Sequence, residues 1–538
     1  MPQERNRRYP GPASAGAALL LAAGCVAPGE DLATIEQDFH SLPPAARRLT
    51  GPLFWLHGDE SQERLEEILA KVAEGGNGCF TAESRPHADW LGPGWFRDLE
   101  VCLAAAKRLD IEMWIFDERW WPSGEVAGRV PEEHGSRWLE AAAETVAGSA
   151  RVERAVDEAH LVAVLAGRGG ADGIDGESLV DLTGLVADGR LAWRAPAGDW
   201  QLLTFTWRRD EGRQGGLLVD GASQAAVDWY LQTVYEPHYE RFAADFGRTI
   251  RGFFYDEPET PGDWGTEVIP VLVEQGVDWK KALVAWKLTL AGEEQAAARY
   301  WYRWAFAEAW GRTLFGGIER WCRERGVESI GHFLEHAEGF LALELCAGDM
   351  VQLQKHSSLG GIDAVFAQFV MGSREGQDAP TWQTPKLGSS ISHAYGKRDD
   401  RAMVEIFGAR GQDLTYREMK WWTDHMQVSG INFHIPHSFN PRAPFDRDCP
   451  PYFYNGGCEP RWPLYRVYAD YTTRLSLLLT EGRHVCPVAF LYLGQCRHEE
   501  DVRPVVRFDR AGRGDHATSL DSFKDTFSRA TRSLGMAA

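Results

Sequence analysis

The sequence predicts an α/β protein built on a (β/α)8 barrel of the TIM type, with an inserted small antiparallel β-domain and a truncated C-terminal β region. Three observations predict this fold. Strand-like and helix-like segments alternate from residue 53, short strands separated by Gly, Asp and Pro interrupt the alternation at 136–220, and eight strand candidates precede residue 440. Strands that alternate with helices favour a parallel sheet, and eight such units favour a barrel.

The eight strand candidates follow one another with helical segments between most of them. The first helix is capped by Ser61, and the second, 95–110, has apolar residues at helical spacing. Candidate 362–369 is the weakest, because its flanking helices are unclear. The candidates are 53–59, 77–84, 111–118, 250–257, 328–336, 362–369, 401–407 and 431–437.

These segments divide the chain into five regions. Residues 1–25 form a signal peptide with a lipobox, 50–135 the first part of the barrel, 136–220 the inserted β-domain, 221–480 the second part of the barrel, and 481–538 the start of an incomplete C-terminal domain and a tail.

The N-terminal region predicts export. Arg5, Arg7 and Arg8 precede a short apolar run, and Cys25 follows the small residues Ala23 and Gly24. A basic start, an apolar stretch and small residues before a cysteine are typical of a bacterial lipoprotein signal. We therefore expect an extracytoplasmic protein, in the periplasm or at the cell surface, with a lipid anchor at Cys25; a disordered tail is the alternative.

Composition excludes some classes of partner. The formal net charge of −21 argues against nucleic acid and anionic membrane surfaces. The 22 tryptophans are consistent with sugar-binding platforms or simply with a large aromatic core. The nine cysteines show no CxxC pair and no zinc spacing, although Cys449 and Cys458 lie close enough in sequence for a disulfide.

Acidic side chains stand at the ends of six of the eight strand candidates, where a barrel opens into its active site. Glu405, inside the apolar segment RAMVEIFG, is the most unexpected of them. Burying so many acids without a function would cost several kcal/mol each unless all were paired. The predicted substrate-binding residues at these ends are Asp117, Glu118, Trp120, Trp121, Asp256, His336, His434 and His437.

Two carboxylates across such a pocket suit glycoside hydrolysis, because one protonates the leaving oxygen while the other attacks the sugar or activates water. The same oxygens also suit Ca²⁺, or a metal-assisted hydrolase that acts on another type of bond. The sequence has no P-loop, no GxSxG and no HExxH motif.

Ordered motifs over about residues 50 to 495 resemble glycoside hydrolase family 106, the α-L-rhamnosidase-like proteins. The resembling segments are WIFDERWWPSGEVAG (114–128), LVDLTGLVADGRLAWRAPAGDWQLLTF (179–205), the run from VDWYLQTVYEPHYE through GFFYDEPE, GHFLEH, VEIFGARGQDLTYREMKWWTDHMQVSGINFHIPHSF and DYTTRLSLLLTEGRHVCPVAFLY (470–492).

The resemblance implies a barrel enzyme, exported by a bacterium, that removes a terminal deoxy-sugar such as α-L-rhamnose from a polysaccharide or glycoconjugate. It further implies an inverting mechanism with two glutamates, and a Ca²⁺ ion near the sugar whose ligands stay unassigned. By motif match, Glu335 is the expected acid and Glu405 the expected base, and Glu257 is the rival for the acid role.

This chain departs from the family in length, since members usually continue into β-sandwich and sugar-binding domains. Two alternatives therefore remain: a catalytically inactive sugar-binding lipoprotein, and a retaining barrel glycosidase with another sugar specificity. In every case the expected partner is a carbohydrate, with no nucleic acid, and with membrane contact only through the possible anchor.

Overall fold

A computed structural model describes residues 32–170, 172–212, 216–333, 346–347, 349–366, 368–369, 371, 384–480 and 484–486. The signal and lipobox predicted at 1–25, and most of the predicted C-terminal region, lie outside these residues. Among the described residues, no helix is both long and apolar enough to cross a bilayer.

Eight parallel strands occur where the sequence predicts strands, and they form two sheets with the orders β1-β2-β3-β4-β5 and β6-β7-β8. Most are shorter than predicted; the segment expected at 362–369, for example, ends at Ala364. The strands are β1 (Leu53–Leu56), β2 (Cys79–Ser84), β3 (Glu112–Phe116), β4 (Ile250–Asp256), β5 (Glu328–His332), β6 (Gly360–Ala364), β7 (Ala402–Ile406) and β8 (Phe433–Pro436).

Hydrogen bonds also connect the edges of the two sheets. On one side, Gly51 N donates to His434 O over 3.0 Å, and Phe439 N donates to Leu53 O over 2.8 Å. On the other side, Ser358 N donates to Ser329 O over 3.2 Å. The five-stranded and three-stranded sheets are therefore neighbours at both of their edges.

Alternate residues of these strands form an inner apolar cluster. Its members come from seven strands, from Leu359 directly before β6, and from Ala443 and Tyr452 in the segment after β8. Successive side chains of a strand point to opposite faces, so the residue two positions after each cluster member faces the same interior. The cluster contains Leu53, Trp55, Cys79, Trp114, Phe116, Phe254, Ile330, Leu359, Met403, Phe433, Ile435, Ala443 and Tyr452.

The opposite strand faces pack against helices in a second, larger apolar cluster. Ser61 caps the helix Gln62–Glu74 by accepting from Arg64 N, as the sequence predicts. The longer helices are Gln62–Glu74, Pro93–Leu109, Trp279–Lys287, Glu294–Trp310, Gly316–Glu324, Thr384–Ala394, Tyr416–Val428 and Trp462–Thr480. The shorter helices are Leu32–His40, Pro44–Arg47, Gln224–Tyr230, Glu236–Phe242, Val268–Glu274 and Met350–Gln354.

Acids at the starts of the strands are paired with arginines. Glu112 at the start of β3 lies 3.3 Å from Arg48 and 3.6 Å from Arg251, and Glu328 at the start of β5 pairs with Arg401. Burial raises the pKa of Glu112, while the charges of Arg251 and Arg48 oppose that rise. These acids therefore have arginine partners at the end of the strands opposite to the predicted site.

Antiparallel sheets separate β3 from β4, where the sequence predicts the inserted β-domain. A four-stranded sheet has the order Arg137–Val146, Trp200–Arg209, Leu161–Gly167, Val180–Asp181. A three-stranded sheet has the order Val186–Ala187, Arg190–Arg194, Arg151–Ala155, and Gly169–Gly170 pairs with Gly173–Ile174.

The disulfide considered between Cys449 and Cys458 is wrong, because both are free thiols.

Asp263, in the segment after β4, connects this antiparallel region to the parallel strands. One carboxylate oxygen accepts from Leu139 N over 2.7 Å, and the other accepts from Trp286 Nε1 over 2.8 Å and from Lys287 Nζ. The backbone N–H of Asp263 donates to Arg137 O over 3.0 Å. A single buried carboxylate therefore joins the inserted strands, the segment after β4 and the helix Trp279–Lys287.

We expect Asp263→Ala to lower the free energy of unfolding by about 3 to 5 kcal/mol, because it leaves Lys287 and two buried N–H donors without their acceptor. Urea unfolding followed by tryptophan fluorescence measures the change. Asp157→Ala is the control: it removes an exposed pair with His160 and should change stability by less than about 0.5 kcal/mol. Equal stability of the two variants would contradict the connecting role of Asp263.

Candidate active site

Glu405 lies on the inner face of β7 near its carboxyl end. Its Cα is in register with Asp363 of β6, and Asp256 of β4 is in register with His332 of β5. Partners in register on parallel strands direct their side chains to the same face. Each of the four follows a member of the inner apolar cluster by two or four residues and therefore faces the same interior. Polar side chains thus replace apolar ones as each strand ends.

His332 lies at the centre of these acids and is buried. Its Nε2 is 3.0 Å from Glu405 Oε2 and 3.5 Å from Asp256 Oδ1. Burial alone would lower the pKa of His332, but the charges of Asp363, Glu405 and Asp256 together raise it well above its usual value. The ring is therefore a cation that donates a charge-assisted hydrogen bond to Glu405.

Asp256 and Glu257 hold their protons more tightly than ordinary carboxyls. Burial, followed by the charge of Glu405, raises the pKa of Asp256 well above its usual value. Burial, followed by the charges of Asp363 and Asp256, does the same for Glu257. Neighbouring acids with unequal proton affinities are what acid–base catalysis uses.

A second cation, Arg85, lies beside this cluster. Its Nη1 donates to Glu83 Oε1 over 2.7 Å, and its Nε donates to Asp448 Oδ2 over 2.8 Å. The guanidinium carbon lies 4.5 Å from the ring centroid of Trp55 and 5.5 Å from that of Trp120. Burial raises the pKa of Glu83 to about 7, Arg85 opposes the rise, and Glu405 adds to it.

Asp117 and Glu118, two predicted substrate-binding residues, are fully occupied within the protein. Asp117 accepts from the hydroxyls of Ser123, Tyr235 and Tyr230 over 2.6, 2.6 and 3.1 Å. Burial raises its pKa to about 6, against those hydroxyl bonds.

Glu118 holds the loop that follows β3. Its two oxygens accept four backbone N–H groups, from Arg119, Gly124, Val126 and Ala127, over 2.6 to 3.1 Å. Burial raises its pKa to about 8, against the N–H groups. The structure thus gives Glu118 a loop-forming contact, and its binding role stays a prediction.

Trp120 and Trp121 stand on that loop with exposed fractions of 36% and 45%. These are high values for tryptophan, and they leave ring surface open to solvent. Since Trp120 also lies against Arg85, its ring is at the rim of the acidic cluster. The predicted role of both rings as sugar platforms is compatible with this placement.

The two predicted histidines of β8 are separated by the structure. His434 points away from the acids, and its Nδ1 is 3.4 Å from Ser476 Oγ of the helix Trp462–Thr480. His437, just after β8, packs edge-on against Trp55 with ring centroids 5.2 Å apart. Burial lowers the pKa of His437 to about 3, against the charge of Glu405. Only His437 of this pair lies beside the acidic cluster.

Glu335 and His336 lie outside the described residues. Of the three predicted catalytic residues, Glu257 and Glu405 are described. The charge of Glu405 raises the pKa of Asp256, and the charge of Asp256 raises the pKa of Glu257.

Sequence reasoning did not include Glu83, His332 or Asp363 among the site residues, although all three belong to the cluster. Asp363 could be recognised from the sequence, because it is the one carboxylate inside the strand candidate 362–369, as Glu405 is inside 401–407.

Backbone strain gathers at the same strand ends. Glu257, Phe366 and Phe407 have φ values of 41°, 54° and 81°. These residues follow β4, β6 and β7, and such left-handed conformations are costly for residues other than glycine. Strained non-glycine residues cluster at active sites, which agrees with the position of the acids.

The cluster also offers ligand atoms for a cation. Asp256, His332 and Glu405 form one group whose donor atoms lie within 4.8 Å of one another, and Glu257, His332 and Asp363 form another. A third group, His57 with Asp59 and Glu60, lies after β1, but Asp59 there is already paired with Arg442 over 2.7 Å.

Acids converge at the carboxyl ends of the parallel strands, with the partly exposed Trp120 beside Arg85 at their edge. The family model described as alpha-L-rhamnosidase matches residues 154–500, more than half of the chain. The chain therefore belongs to the α-L-rhamnosidase family of glycoside hydrolases, family 106. No curated protein matches it.

One solved structure shares the fold over most of the chain. A rhamnosidase from Novosphingobium sp. PP1Y superposes with a TM-score of 0.69 at 17% identity, covering 84% of this chain and 61% of its own. This chain thus spans less than two thirds of that protein. A β-galactosidase from the Antarctic haloarchaeon Halorubrum lacusprofundi has a TM-score of 0.40 at 11% identity, with coverages of 79% and 57%. The first likeness shows a shared mixed α/β fold.

We expect acid to destabilise the protein through His434. Burial lowers its folded pKa to about 3, whereas an unfolded histidine titrates near 6.5. Between these values only the unfolded chain binds the proton, so the unfolding free energy falls by up to about 1.4 kcal/mol per pH unit as pH decreases.

His434→Gln should reduce that slope, measured by urea unfolding at pH 7, 6 and 5. The control is His160→Gln, whose half-exposed ring lies on the inserted sheets and which should leave the slope unchanged. An unaltered slope in His434→Gln would show that His434 is not a buried neutral ring.

Proposed function

We propose that this chain hydrolyses the glycosidic bond of a terminal deoxy-sugar such as α-L-rhamnose, in a polysaccharide or glycoconjugate, by a two-carboxylate, inverting mechanism. The observation that supports this best is Glu405, an inward carboxylate at the end of β7, bonded to a cationic His332 over 3.0 Å. Family membership supports the reaction class, and the sugar and the stereochemistry are part of the proposal.

We further propose that the eight strands close into a TIM-type barrel. The hydrogen bonds of Gly51 with His434 and of Ser358 with Ser329 support closure at the two seams between the sheets. The inner cluster, which draws side chains from around the whole set of strands, supports a filled barrel interior. In such a barrel the active site lies at the carboxyl ends of the strands, where the acids are.

In this mechanism Glu405 is the base that accepts a proton from the attacking water. His332 is suited to position it, because the imidazolium donates to one carboxylate oxygen and leaves the other for water. This hydrogen bond holds the Glu405 carboxylate in a fixed orientation before substrate arrives.

Two residues are candidates for the acid. The family motif favours Glu335, which lies outside the described residues. Glu257 is the rival, supported by a pKa that burial and the charges of Asp363 and Asp256 raise well above its usual value. A carboxyl that keeps its proton near neutral pH is what protonation of a leaving oxygen requires.

We propose that Ca²⁺ binds at this cluster. Five carboxylates, of Glu83, Asp256, Glu257, Asp363 and Glu405, surround two cationic side chains, His332 and Arg85. Carboxylate oxygens are the donors that Ca²⁺ prefers, so the ion would be held by Asp256 and Asp363 rather than by the imidazole. Glu257 would add a third carboxylate only if Glu335 is the acid, since a bound cation displaces the carboxyl proton. When bound, the ion supplies positive charge and oxygen coordination for sugar hydroxyls.

We also propose export and lipidation at Cys25, supported by the basic start, the apolar run and the small residues before that cysteine. A carbohydrate substrate outside the cytoplasm is consistent with this location.

We expect Glu405→Gln to lower kcat/KM on 4-nitrophenyl α-L-rhamnopyranoside by about 10³-fold or more, because the amide cannot accept the proton of water. Release of nitrophenol from a panel of aryl glycosides measures it, and proton NMR of the first sugar anomer distinguishes inversion from retention.

Glu112→Gln is the matched control for this experiment. It neutralises an acid at the opposite end of β3, and we expect loss of stability but less than a threefold change in kcat/KM. A folded wild-type protein without turnover on any glycoside would reject the hydrolase and leave a sugar-binding protein.

Removal of metal should lower the melting temperature. We expect 1 mM Ca²⁺ to raise the Tm of EDTA-treated protein by at least about 2 °C, because a ligand that binds only the folded state stabilises it. Differential scanning fluorimetry measures this shift. It should disappear in Asp363→Asn and persist in the control Asp59→Asn, and the reverse pattern would move the ion to the group after β1.

A further inference from the structure

Glu83 has a buried carboxylate oxygen that no described residue satisfies. The residue is fully buried, and its Oε1 accepts from Arg85 Nη1 over 2.7 Å. Its Oε2 is also buried, but it has no hydrogen-bond partner within the described part of the chain. Leaving a buried acceptor unsatisfied costs about 1 to 3 kcal/mol, so this oxygen calls for a hydrogen-bond partner.

The free oxygen belongs to the cavity that contains Glu405. Glu83 is in register with Trp55 of β1, a member of the inner cluster, so its side chain faces the interior. The charge of Glu405, on β7, raises the pKa of Glu83, and the charge of Glu83 in turn raises that of Asp256 on β4. Glu83 therefore faces the described catalytic candidates from another strand.

Arg85 holds this carboxylate in place. The guanidinium is fastened to Glu83 on one side and to Asp448 on the other, and it packs on the face of Trp55. With both ends occupied, the arginine has little freedom to turn toward Oε2. No described residue supplies the donor for Oε2, so this oxygen is available to a hydroxyl group of a bound ligand.

We propose that Glu83 is a substrate-binding residue, whose Oε2 accepts a hydrogen bond from a hydroxyl of the sugar ring while Arg85 holds the carboxylate in that orientation. A neutral sugar fits this position and a uronic acid does not, because the nearby Glu405 and Asp448 carboxylates repel a further negative charge. The inference deepens the proposed function and rests on it for the identity of the sugar.

The kinetic test is Glu83→Gln with 4-nitrophenyl α-L-rhamnopyranoside. The amide keeps an oxygen for Arg85 but replaces the free acceptor, so we expect KM to rise by about 10- to 100-fold with kcat within threefold. Asp448→Asn removes the other carboxylate partner of Arg85 and leaves Oε2 in place. If Glu83 acted only through Arg85, both variants would change KM equally, and that result would overturn the proposal.

A binding measurement separates failure of this inference from failure of the proposed function. Isothermal titration calorimetry of L-rhamnose, L-fucose, D-galactose and D-galacturonate needs no turnover. We expect the wild type to bind at least one neutral sugar but not the uronate, and Glu83→Gln to bind that neutral sugar at least tenfold more weakly.

Two results would overturn the proposal: equal affinity of Glu83→Gln and the wild type, or no sugar binding by the folded wild type. If Glu83→Gln does not fold, as judged by near-ultraviolet circular dichroism, Glu83→Asp replaces it. That variant keeps the charge beside Arg85 but withdraws the oxygen by one methylene, and it should weaken binding by the same order. Sugar binding that depends on Glu83 without any turnover would reject the hydrolase and retain this inference.

Discussion

The imidazolium of His332 is the group on which the acidic cavity depends. It lies within hydrogen-bonding or ion-pairing distance of two carboxylates on different strands, 3.0 Å from Glu405 and 3.5 Å from Asp256. Without a cation at that point, acids on different strands would repel one another in a region that is mostly buried from solvent. One buried proton on a ring therefore permits several carboxyls to converge.

Acids of the same chemical type acquire different tasks from their positions along the strands. Glu112, at a strand start, is paired with arginines away from the cavity. Glu118, two residues beyond the end of β3, turns back to bind four N–H groups of its own loop. Glu405 keeps the inward parity to the end of its strand and faces the cavity. Parity and the point at which the chain turns decide among these outcomes.

Much of the fold was accessible from the sequence, since all eight strand candidates and the antiparallel region were found in order. The period of apolar residues, the cap at Ser61 and the glycines after helices carry that information locally. The site was less accessible. Glu405 stood out because it interrupts an apolar strand. Asp117 and Glu118 stood out as well, and only three-dimensional contacts show that Asp117 binds the tyrosines Tyr230 and Tyr235 and that Glu118 binds its own loop. The register between strands is what places His332 and Asp363 beside Glu405.

Asp263 gives the antiparallel insertion an evolutionary constraint. One oxygen binds Leu139 N at the base of the insertion, and the other binds Trp286 in the helix Trp279–Lys287. Asp263 itself stands seven residues beyond Asp256 in the sequence. The outer strands do not bind Asp263. This contact therefore does not restrict their sequence, their length or their surface chemistry. The base is not free, since any change there is transmitted to the segment that carries Glu257. Diversification of this insertion is thus expected to proceed from its tip inward.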